Sequence, residues 1–270
     1  MNMRMKINRI YAVFLRQIYL IRHNPTRFFN IFIWIFVDVV IWGFITRYLD
    51  DVANTEFSFA PLLLGAIIFW DFMIRVQQGV MLAFFEDVWS QNFLNLFASP
   101  LTVGEYIAGL VVTSIVTSSA GLGLMLLIAG PIFGLNVFTL GAYFLLFILM
   151  IFIFGVALGI FSTSIVLRLG PSAEWLAWPI PFLIAPFASV YYPVATLPVF
   201  AQKITQLIPP AYGFEGMRSI LLTGTFSTNE FLIGLTLAMI YLLLAYLMFV
   251  KTYRYVLKNG LLTRFSAETS

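Results

Sequence analysis

Residues 191–224 of the chain read YYPVATLPVFAQKITQLIPPAYGFEGMRSILLTG. Most of its side chains are apolar, which keeps the segment close to lipid. It is also interrupted by four prolines: Pro193, Pro198, Pro209 and Pro210. Proline removes a backbone donor and breaks the regular helix that a membrane crossing requires. The stretch therefore predicts short half-helices that lie in, or dip into, the membrane surface ahead of a last spanning helix.

The composition of the whole chain is that of a polytopic membrane protein. Its 270 residues are 61% hydrophobic and only 10% charged, whereas a soluble domain carries roughly 25% charged residues. Arginines interrupt the N-terminal apolar run and no small-residue cleavage site follows, so no cleavable signal peptide is expected. The absence of cysteine excludes disulfides and thiolate metal sites. We expect one all-α membrane domain over residues 1–270.

Six segments are candidates for crossing a hydrocarbon core about 30 Å thick. They are residues 28–49, 59–85, 103–129, 137–167, 174–192 and 231–253. The fifth is the weakest, because Pro179, Pro181 and Pro186 would kink it. Basic residues concentrate before the first span and after the last, so the positive-inside pattern predicts that both termini are cytoplasmic. Six spans satisfy that requirement and place residues 193–224 outside the cell.

Residues 4–24 form a separate element ahead of the spans. Apolar residues recur there at three- and four-residue spacing: Ile7, Ile10, Tyr11, Phe14, Leu15, Ile18 and Ile21. Arg9 and Arg16 lie off that stripe. The period predicts an amphipathic helix on the inner leaflet that ends before Pro25. This helix is either an anchor that sets the topology or a surface that also packs on a cytoplasmic partner.

The predicted cytoplasmic loop between spans two and three, residues 86–102, reads EDVWSQNFLNLFASPLT. Its middle alternates large apolar and polar residues as a short amphipathic helix does, and Pro100 ends it. Exposed apolar patches usually mark contact surfaces. The loop is therefore either a docking site for a partner or a helix lying on lipid.

Three charged residues fall inside predicted spans. Asp71 and Arg75 are four residues apart and can pair on one helix face, while Asp38 has no local partner and can pair with another helix or with Arg75. Charges inside the membrane are costly and usually face the bundle interior or water. They serve either as structural pairs or as substrate contacts.

The sequence lacks the motifs of an enzyme. It contains no GKS or GKT phosphate loop, no HExxH helix, no GxSxG elbow and no acidic cluster suited to a metal. Energy for uphill transport would come from a partner ATPase or from an ion gradient acting through Asp38, Asp71 and Arg75. A membrane scaffold without transport is a third possibility.

Two runs of residues resemble the type-2 ABC exporter permeases, which export drugs, nodulation factors and polysaccharides. Residues 97–111, FASPLTVGEYIAGLV, are similar to the family's run into span three. The later run is similar to the family's order of residues before span six: Pro193, Leu197, Pro198, Pro209, Tyr212, Glu215 and Arg218. With the six spans and the N-terminal helix, the resemblance covers essentially the whole chain.

The resemblance implies a permease in the plasma (inner) membrane of a prokaryote, paired with itself or with a paralogous permease. Two copies of a separate ATPase would bind ATP and Mg²⁺, leaving no cofactor on this chain and no nucleic-acid partner. Residues 86–100 would be the coupling helix that docks the ATPase, through Glu86, Asp87, Trp89, Phe93, Leu94, Phe97 and Pro100. Residues 193–224 would form the outer gate, through Pro193, Pro198, Pro209, Tyr212, Glu215 and Arg218. A hydrophobic drug, a lipid and a lipid-linked glycan are all admissible substrates.

Overall fold

The computed structural model describes residues 3–23, 25–53, 60–90, 92, 95–96 and 99–263, with the backbone alone at 25–32, 53, 60 and 263. Every regular element within those ranges is helical, and they hold no β-strand. The prediction of an all-α chain is confirmed for this part of the protein. Its α-helices in chain order are α1 (Met3–His23), α2 (Pro25–Ala53), α3 (Gly65–Trp89), α4 (Val103–Phe133), α5 (Tyr143–Leu169), α6 (Ile180–Ile184), α7 (Val199–Thr205), α8 (Pro209–Thr223) and α9 (Thr228–Lys258).

Helix α1 matches the predicted N-terminal helix and ends ahead of Pro25, where α2 begins. The face of α1 that packs against the bundle is centred on Val13 and Gln17, which are both buried. Ile7 and Tyr11 of the predicted apolar stripe are more than half exposed. Ile10, Phe14 and Ile21 of the same stripe are partly buried. One edge of the stripe therefore packs against the bundle, and the edge with Ile7 and Tyr11 points away from it, where lipid can cover it.

Four segments in the described ranges are long and apolar enough to cross a membrane: Pro61–Trp89, Val103–Phe133, Tyr143–Leu169 and Thr228–Lys258. The first of these joins a π-helical turn, Ala60–Leu64, to α3. They correspond to the second, third, fourth and last predicted spans. Helix α2 runs without interruption through the first predicted span.

The fifth predicted span, residues 174–192, is not one long helix. The chain instead forms a 3-10 turn at Pro171–Leu176, the single turn of α6, and another 3-10 turn at Ala185–Phe187. Proline lacks the N–H that continues a helix, and three prolines within this stretch divide it. The count of six spans stays a prediction.

Helix α3 forms the centre of the bundle. In its most apolar stretch, 78% of the residues are buried, compared with 28% in that of α4 and 22% in that of α9. It packs against α4 on one side and α5 on the other, and α5 also packs along α9. Close approach of α5 depends on glycine, since a Cβ atom at Gly159 would lie 2.7 Å from Cβ of Val80. The bundle is therefore tight around α3 and open on the outer faces of α4 and α9.

Beyond α6, the chain predicted to lie outside the cell forms only short helices. After a 3-10 turn at Val194–Thr196, α7 and α8 follow and are joined by a turn at 206–208. The hydroxyl of Tyr241, which lies near the middle of α9, donates a hydrogen bond to the carbonyl of Leu207 at 3.0 Å. The turn between α7 and α8 therefore reaches well down the last long helix.

Candidate functional site

The two ends of the bundle differ in charge. At one end lie α1, the carboxyl ends of α3, α5 and α9, and the amino end of α4. Basic residues at this basic end are Arg4, Lys6, Arg9, Arg16, Arg22, Arg168, Lys251, Arg254 and Lys258. The described charges near the opposite, outer end are mixed: the acidic Asp50, Asp51, Glu215 and Glu230, and the basic Arg47, Lys203 and Arg218.

A buried carboxylate, Asp87, joins three helices at the basic end. Its side chain is 0% exposed and pairs with Arg16 of α1. Gln17 of α1 donates to the same oxygen at 3.3 Å and to the carbonyl of Ala83 at 2.9 Å. Tyr106 of α4 donates its hydroxyl to the second oxygen at 2.7 Å. A carboxylate can be buried at this depth because both of its oxygens are hydrogen-bonded.

A second contact of α1 lies at the start of α4. Thr102 and Glu105 form a reciprocal capping box that begins the helix. Arg9 bonds the carbonyl of Pro100 at 2.5 Å and lies 3.4 Å from the carboxylate of Glu105. Helix α1 is therefore tied both to the end of the 86–102 loop and to the helix that follows it.

Between these two polar contacts, α1 and α4 pack without a gap. A Cβ atom placed on Gly109 of α4 would lie 2.6 Å from Cβ of Val13 in α1. Any side chain larger than hydrogen at this position would push the two helices apart. We call the set formed by Asp87, Arg16, Gln17, Tyr106, Arg9, Glu105, Val13 and Gly109 the basic-end network.

The predicted docking residues fall into separate groups. Asp87 points into the chain, whereas Trp89 is exposed and donates its indole N–H to Glu174 at 2.9 Å. Glu86 is partly buried and Pro100 is exposed. Phe93, Leu94 and Phe97 lie outside the described residues, so the predicted helix over 86–100 is described only in part. Residues 95 and 96 are helical.

The charges inside the membrane pair across helices. Among the described residues, Arg75 of α3 forms its ion pair with Asp38 of α2, at 3.8 Å, rather than with Asp71 on its own helix. Arg75 also donates to Gln78 at 3.3 Å. The sequence allowed Asp38 to pair with Arg75 or with another helix, and the structure places it beside Arg75.

At the outer end, Glu215 of α8 holds the turn that precedes α7. One of its oxygens accepts the Val194 backbone N–H at 2.9 Å and a guanidinium N–H of Arg218 at 2.6 Å. The Ser189 hydroxyl donates to the same oxygen, and Arg218 donates to the Ser189 carbonyl at 3.1 Å. We call these four residues the outer latch. Burial lowers the pKa of the Arg218 guanidinium, and the neighbouring Glu215 carboxylate opposes that shift.

The remaining residues of the predicted gate mark the ends of short helices. Pro193 and Pro198 each stand just before a helical turn, and Pro209 is the first residue of α8, a position where the missing N–H costs nothing. Tyr212 donates its hydroxyl to the Gln206 carbonyl at 3.0 Å and so braces the turn between α7 and α8. The prolines thus divide the segment as predicted, and the structure brings Glu215 and Arg218 together.

Sequence reasoning missed several members of these two sets. Gln17 and Tyr106 are buried in the structure. The sequence signal that could have identified them is the position of a polar residue within a mainly apolar run. Ser189 has a left-handed backbone with φ of 58°. Nothing in its local sequence, Ala-Ser-Val, predicts that conformation.

Comparison with known families agrees with this architecture. The family model described as ABC-2 type transporter matches residues 8–222, from α1 almost to the end of α8. The matched range contains the basic-end network and the outer latch. No curated protein matches the chain significantly. Several apolar helices make the chain a multi-pass membrane protein, and the family is one of transport permeases rather than enzymes. The chain therefore belongs to the ABC-2 type transporter family.

Proposed function

We propose that the chain is the permease subunit of an ATP-driven ABC exporter in the plasma (inner) membrane of a prokaryote. Two copies form a homodimer, and the substrate moves outward along the interface between them. A separate ATPase subunit, also in two copies, binds ATP and Mg²⁺ and supplies the energy. Family membership supports this proposal, because ABC-2 permeases normally work with an ABC ATPase partner.

The observation that carries the proposal is the basic-end network. It ties α1 to both helices that flank the 86–102 loop, through Asp87 on one side and Glu105 on the other. A push on this loop is therefore passed to α1, α3 and α4 together instead of bending the loop alone. The excess of basic residues at this end supports a cytoplasmic location under the positive-inside rule. That is the side from which an ATPase would act.

The outer latch supports an outward path with a gate. Its polar bonds connect short helices separated by prolines, so the segment can change shape without unwinding a long helix. In the proposed cycle, ATP-driven movement at the basic end releases residues 193–224 at the outer end. Glu215 and Arg218 hold the segment in its closed arrangement, and the proline-flanked turns act as hinges.

The direct test reconstitutes the purified chain in proteoliposomes with a candidate ABC ATPase, taken from a neighbouring reading frame. We expect the two proteins to copurify and to transport a lipophilic substrate with sensitivity to vanadate. Transport by this chain alone under a proton gradient would overturn the proposal.

A sharper test concerns the coupling loop. Changing Phe93→Asp or Leu94→Asp should leave membrane insertion and ATP hydrolysis intact while transport falls, because an acidic side chain spoils an apolar docking surface. Asn95→Asp is the matched control, since Asn95 is exposed and already polar. Normal transport in both apolar-site variants would count against this loop as the coupling element.

An ion-coupled carrier is the second candidate function. The pairing of Asp38 with Arg75 across α2 and α3 favours it, since charged residues inside membrane helices often lie on ion pathways. The reconstitution test above separates the two candidates, because only the carrier would transport without an ATPase.

The substrate proposed for the exporter is hydrophobic or amphipathic: a drug, a lipid or a lipid-linked glycan. Trp42 of α2 stacks on Tyr191 with ring centroids 5.6 Å apart. Such aromatic surfaces suit apolar groups and sugar rings alike. Competition among these three substrate classes in the transport assay would identify the class carried.

A further inference from the structure

A cluster of charged side chains lies between α2 and α3, within the apolar part of the bundle. Its cation is Arg75 of α3, which pairs with Asp38 of α2 at 3.8 Å and donates to Gln78 at 3.3 Å. Asp71 precedes Arg75 by four residues and therefore lies on the same face of α3. Its carboxylate is close enough to both Asp38 and Arg75 to interact with them electrostatically. Among the described residues, the cluster therefore has two carboxylates and one guanidinium.

The carboxylate in excess is that of Asp71. Arg75 forms its ion pair with Asp38 instead, and within the described ranges the buried Oδ2 atom of Asp71 accepts no hydrogen bond. This differs from Asp87, where both carboxylate oxygens are hydrogen-bonded. A buried carboxylate oxygen without a partner is costly, and a nearby positive charge offsets that cost. The Asp71 carboxylate is therefore suited to face a cation.

The cluster reaches the surface of the chain through Asp38. The side chain of Asp38 is 39% exposed, although its surroundings on α2 are apolar. Trp34 and Ile41, one turn before and after it on the same face, are 58% and 51% exposed. A carboxylate in a membrane helix faces water or protein rather than lipid. We therefore expect this face of α2 to border a polar passage.

Two aromatic rings lie beside the carboxylates. Trp42 follows Asp38 by four residues on the same face of α2, and its ring stacks on that of Tyr191 at an interplanar angle of 20°. Tyr191 is 38% exposed, and both carboxylates are close enough to interact with its phenol electrostatically. Aromatic faces attract organic cations such as quaternary ammonium groups. Carboxylates and aromatic rings at one place thus match a positively charged group that carries apolar substituents.

We propose that these side chains bind the cationic group of a lipophilic substrate. Asp71 and Asp38 attract the positive charge, and the rings of Trp42 and Tyr191 contact the apolar groups around it. This inference rests on the proposed function, in which the substrate moves along a path between two copies of the chain, and it narrows the substrate class. The carboxylates repel a phosphate, which disfavours a lipid-linked glycan and leaves a cationic drug or a cationic lipid.

The test measures binding to the purified full chain in detergent, without an ATPase, by isothermal titration calorimetry corrected for protein-free micelles. The two probes are tetraphenylphosphonium and tetraphenylborate, which have the same shape and opposite charge. We expect Asp71→Asn to weaken binding of the cation about tenfold, because one attracting charge is lost where the dielectric constant is low. Binding of the anion should not weaken. Asp51→Asn is the matched control, since it removes an exposed carboxylate elsewhere on the chain, and it should bind the cation as the wild type does.

A second pair of variants tests the aromatic rings without changing a charge. Tyr191→Leu removes the ring and should weaken binding of the cation about threefold. Tyr191→Phe keeps the ring and should bind the cation as the wild type does. Because Tyr191 is partly exposed, both variants should keep the thermal unfolding midpoint of the wild type.

Unchanged binding of tetraphenylphosphonium in Asp71→Asn would overturn the proposal. No binding of this cation to the wild-type chain would also overturn it, and is the result expected if the cluster carries protons or is a structural ion pair only. These outcomes are distinct from failure of the proposed function. ATP-driven export of an anionic substrate alone would leave the exporter and remove the cation site, whereas cation binding by a chain that transports without an ATPase would do the reverse.

Discussion

The two polar networks of this chain are built from similar chemistry in different surroundings. Asp87 at the basic end is fully buried and joins side chains 19 to 71 residues away in the sequence. Glu215 at the outer end is 35% exposed and joins partners 3 to 26 residues away. The first network unites three long helices, whereas the second holds a turn against a short helix.

This difference assigns the two ends different mechanical roles. A buried carboxylate that loses a partner leaves an unpaired charge, which costs several kcal/mol. A half-exposed carboxylate can exchange its partners for water at a much smaller cost. We therefore expect the basic end to move as one body and residues 193–224 to change shape more easily.

The largest effect is expected for Asp87→Ala. The change removes the acceptor for Arg16, Gln17 and Tyr106 at once. We expect it to destabilise the docking of α1 by about 3 kcal/mol, mainly because the buried Tyr106 hydroxyl is left without an acceptor. Limited proteolysis of α1 and the thermal unfolding midpoint of the detergent-solubilised chain would measure the loss. Asp51→Ala is the control, because Asp51 is exposed at the other end of the bundle. Equal proteolysis of both variants would contradict a fastening role for Asp87.

The next effect concerns the contact between α1 and α4. Gly109→Ala adds a methyl group 2.6 Å from Cβ of Val13, and overpacking of this kind costs about 1–3 kcal/mol. Gly123→Ala on the same helix meets no atom within 4 Å and should be neutral or slightly stabilising, because alanine favours a helix. The thermal midpoints of the two variants give the comparison. Equal thermal midpoints for the two variants would contradict close packing of α1 on α4 at Gly109.

Much of the fold could be predicted from the sequence, because the period of apolar residues and the positions of proline are local signals. They predicted α1, the four long apolar helices and the division of residues 193–224. Proline also explains why residues 174–192 are not one helix, although the apolar length alone favoured a span.

The contacts between helices could not be predicted in the same way. The apolar stripe of α1 predicted a face toward lipid, but nothing in its period showed that the polar Gln17 would be buried against the bundle. The sequence offered Arg75 as a partner for both Asp71 and Asp38, and only the placement of α2 against α3 shows that Asp38 lies within ion-pair distance of it. Such pairings depend on how helices are placed side by side, which one sequence does not encode locally.

A moderate effect is expected for Glu215→Gln. The amide keeps the shape of the side chain but loses the charge that faces Arg218, and hydrogen bonds to charged groups contribute about 1.5–3 kcal/mol. Partial exposure reduces this contribution, so we expect a loss of about 1 kcal/mol, at the upper end for exposed pairs.

Hydrogen exchange should accelerate at the amide of Val194 without a change in α1. Glu230→Gln makes the same chemical change at an exposed position and should leave Val194 protected. Faster exchange in α1 would show that Glu215 stabilises more of the chain than its own segment.

The smallest effects are expected at Ser189, where two contributions oppose each other. Its left-handed backbone, with φ of 58°, costs about 1–2 kcal/mol for a residue other than glycine. Its hydroxyl donates to Glu215 and contributes about 1 kcal/mol.

Ser189→Ala loses the hydrogen bond and keeps the strained backbone, so it should be destabilised by about 1 kcal/mol. Ser189→Gly loses the same bond but relieves the backbone, so its thermal midpoint should lie close to that of the wild type. A glycine variant as unstable as the alanine variant would mean that the left-handed backbone of Ser189 carries no strain that glycine relieves.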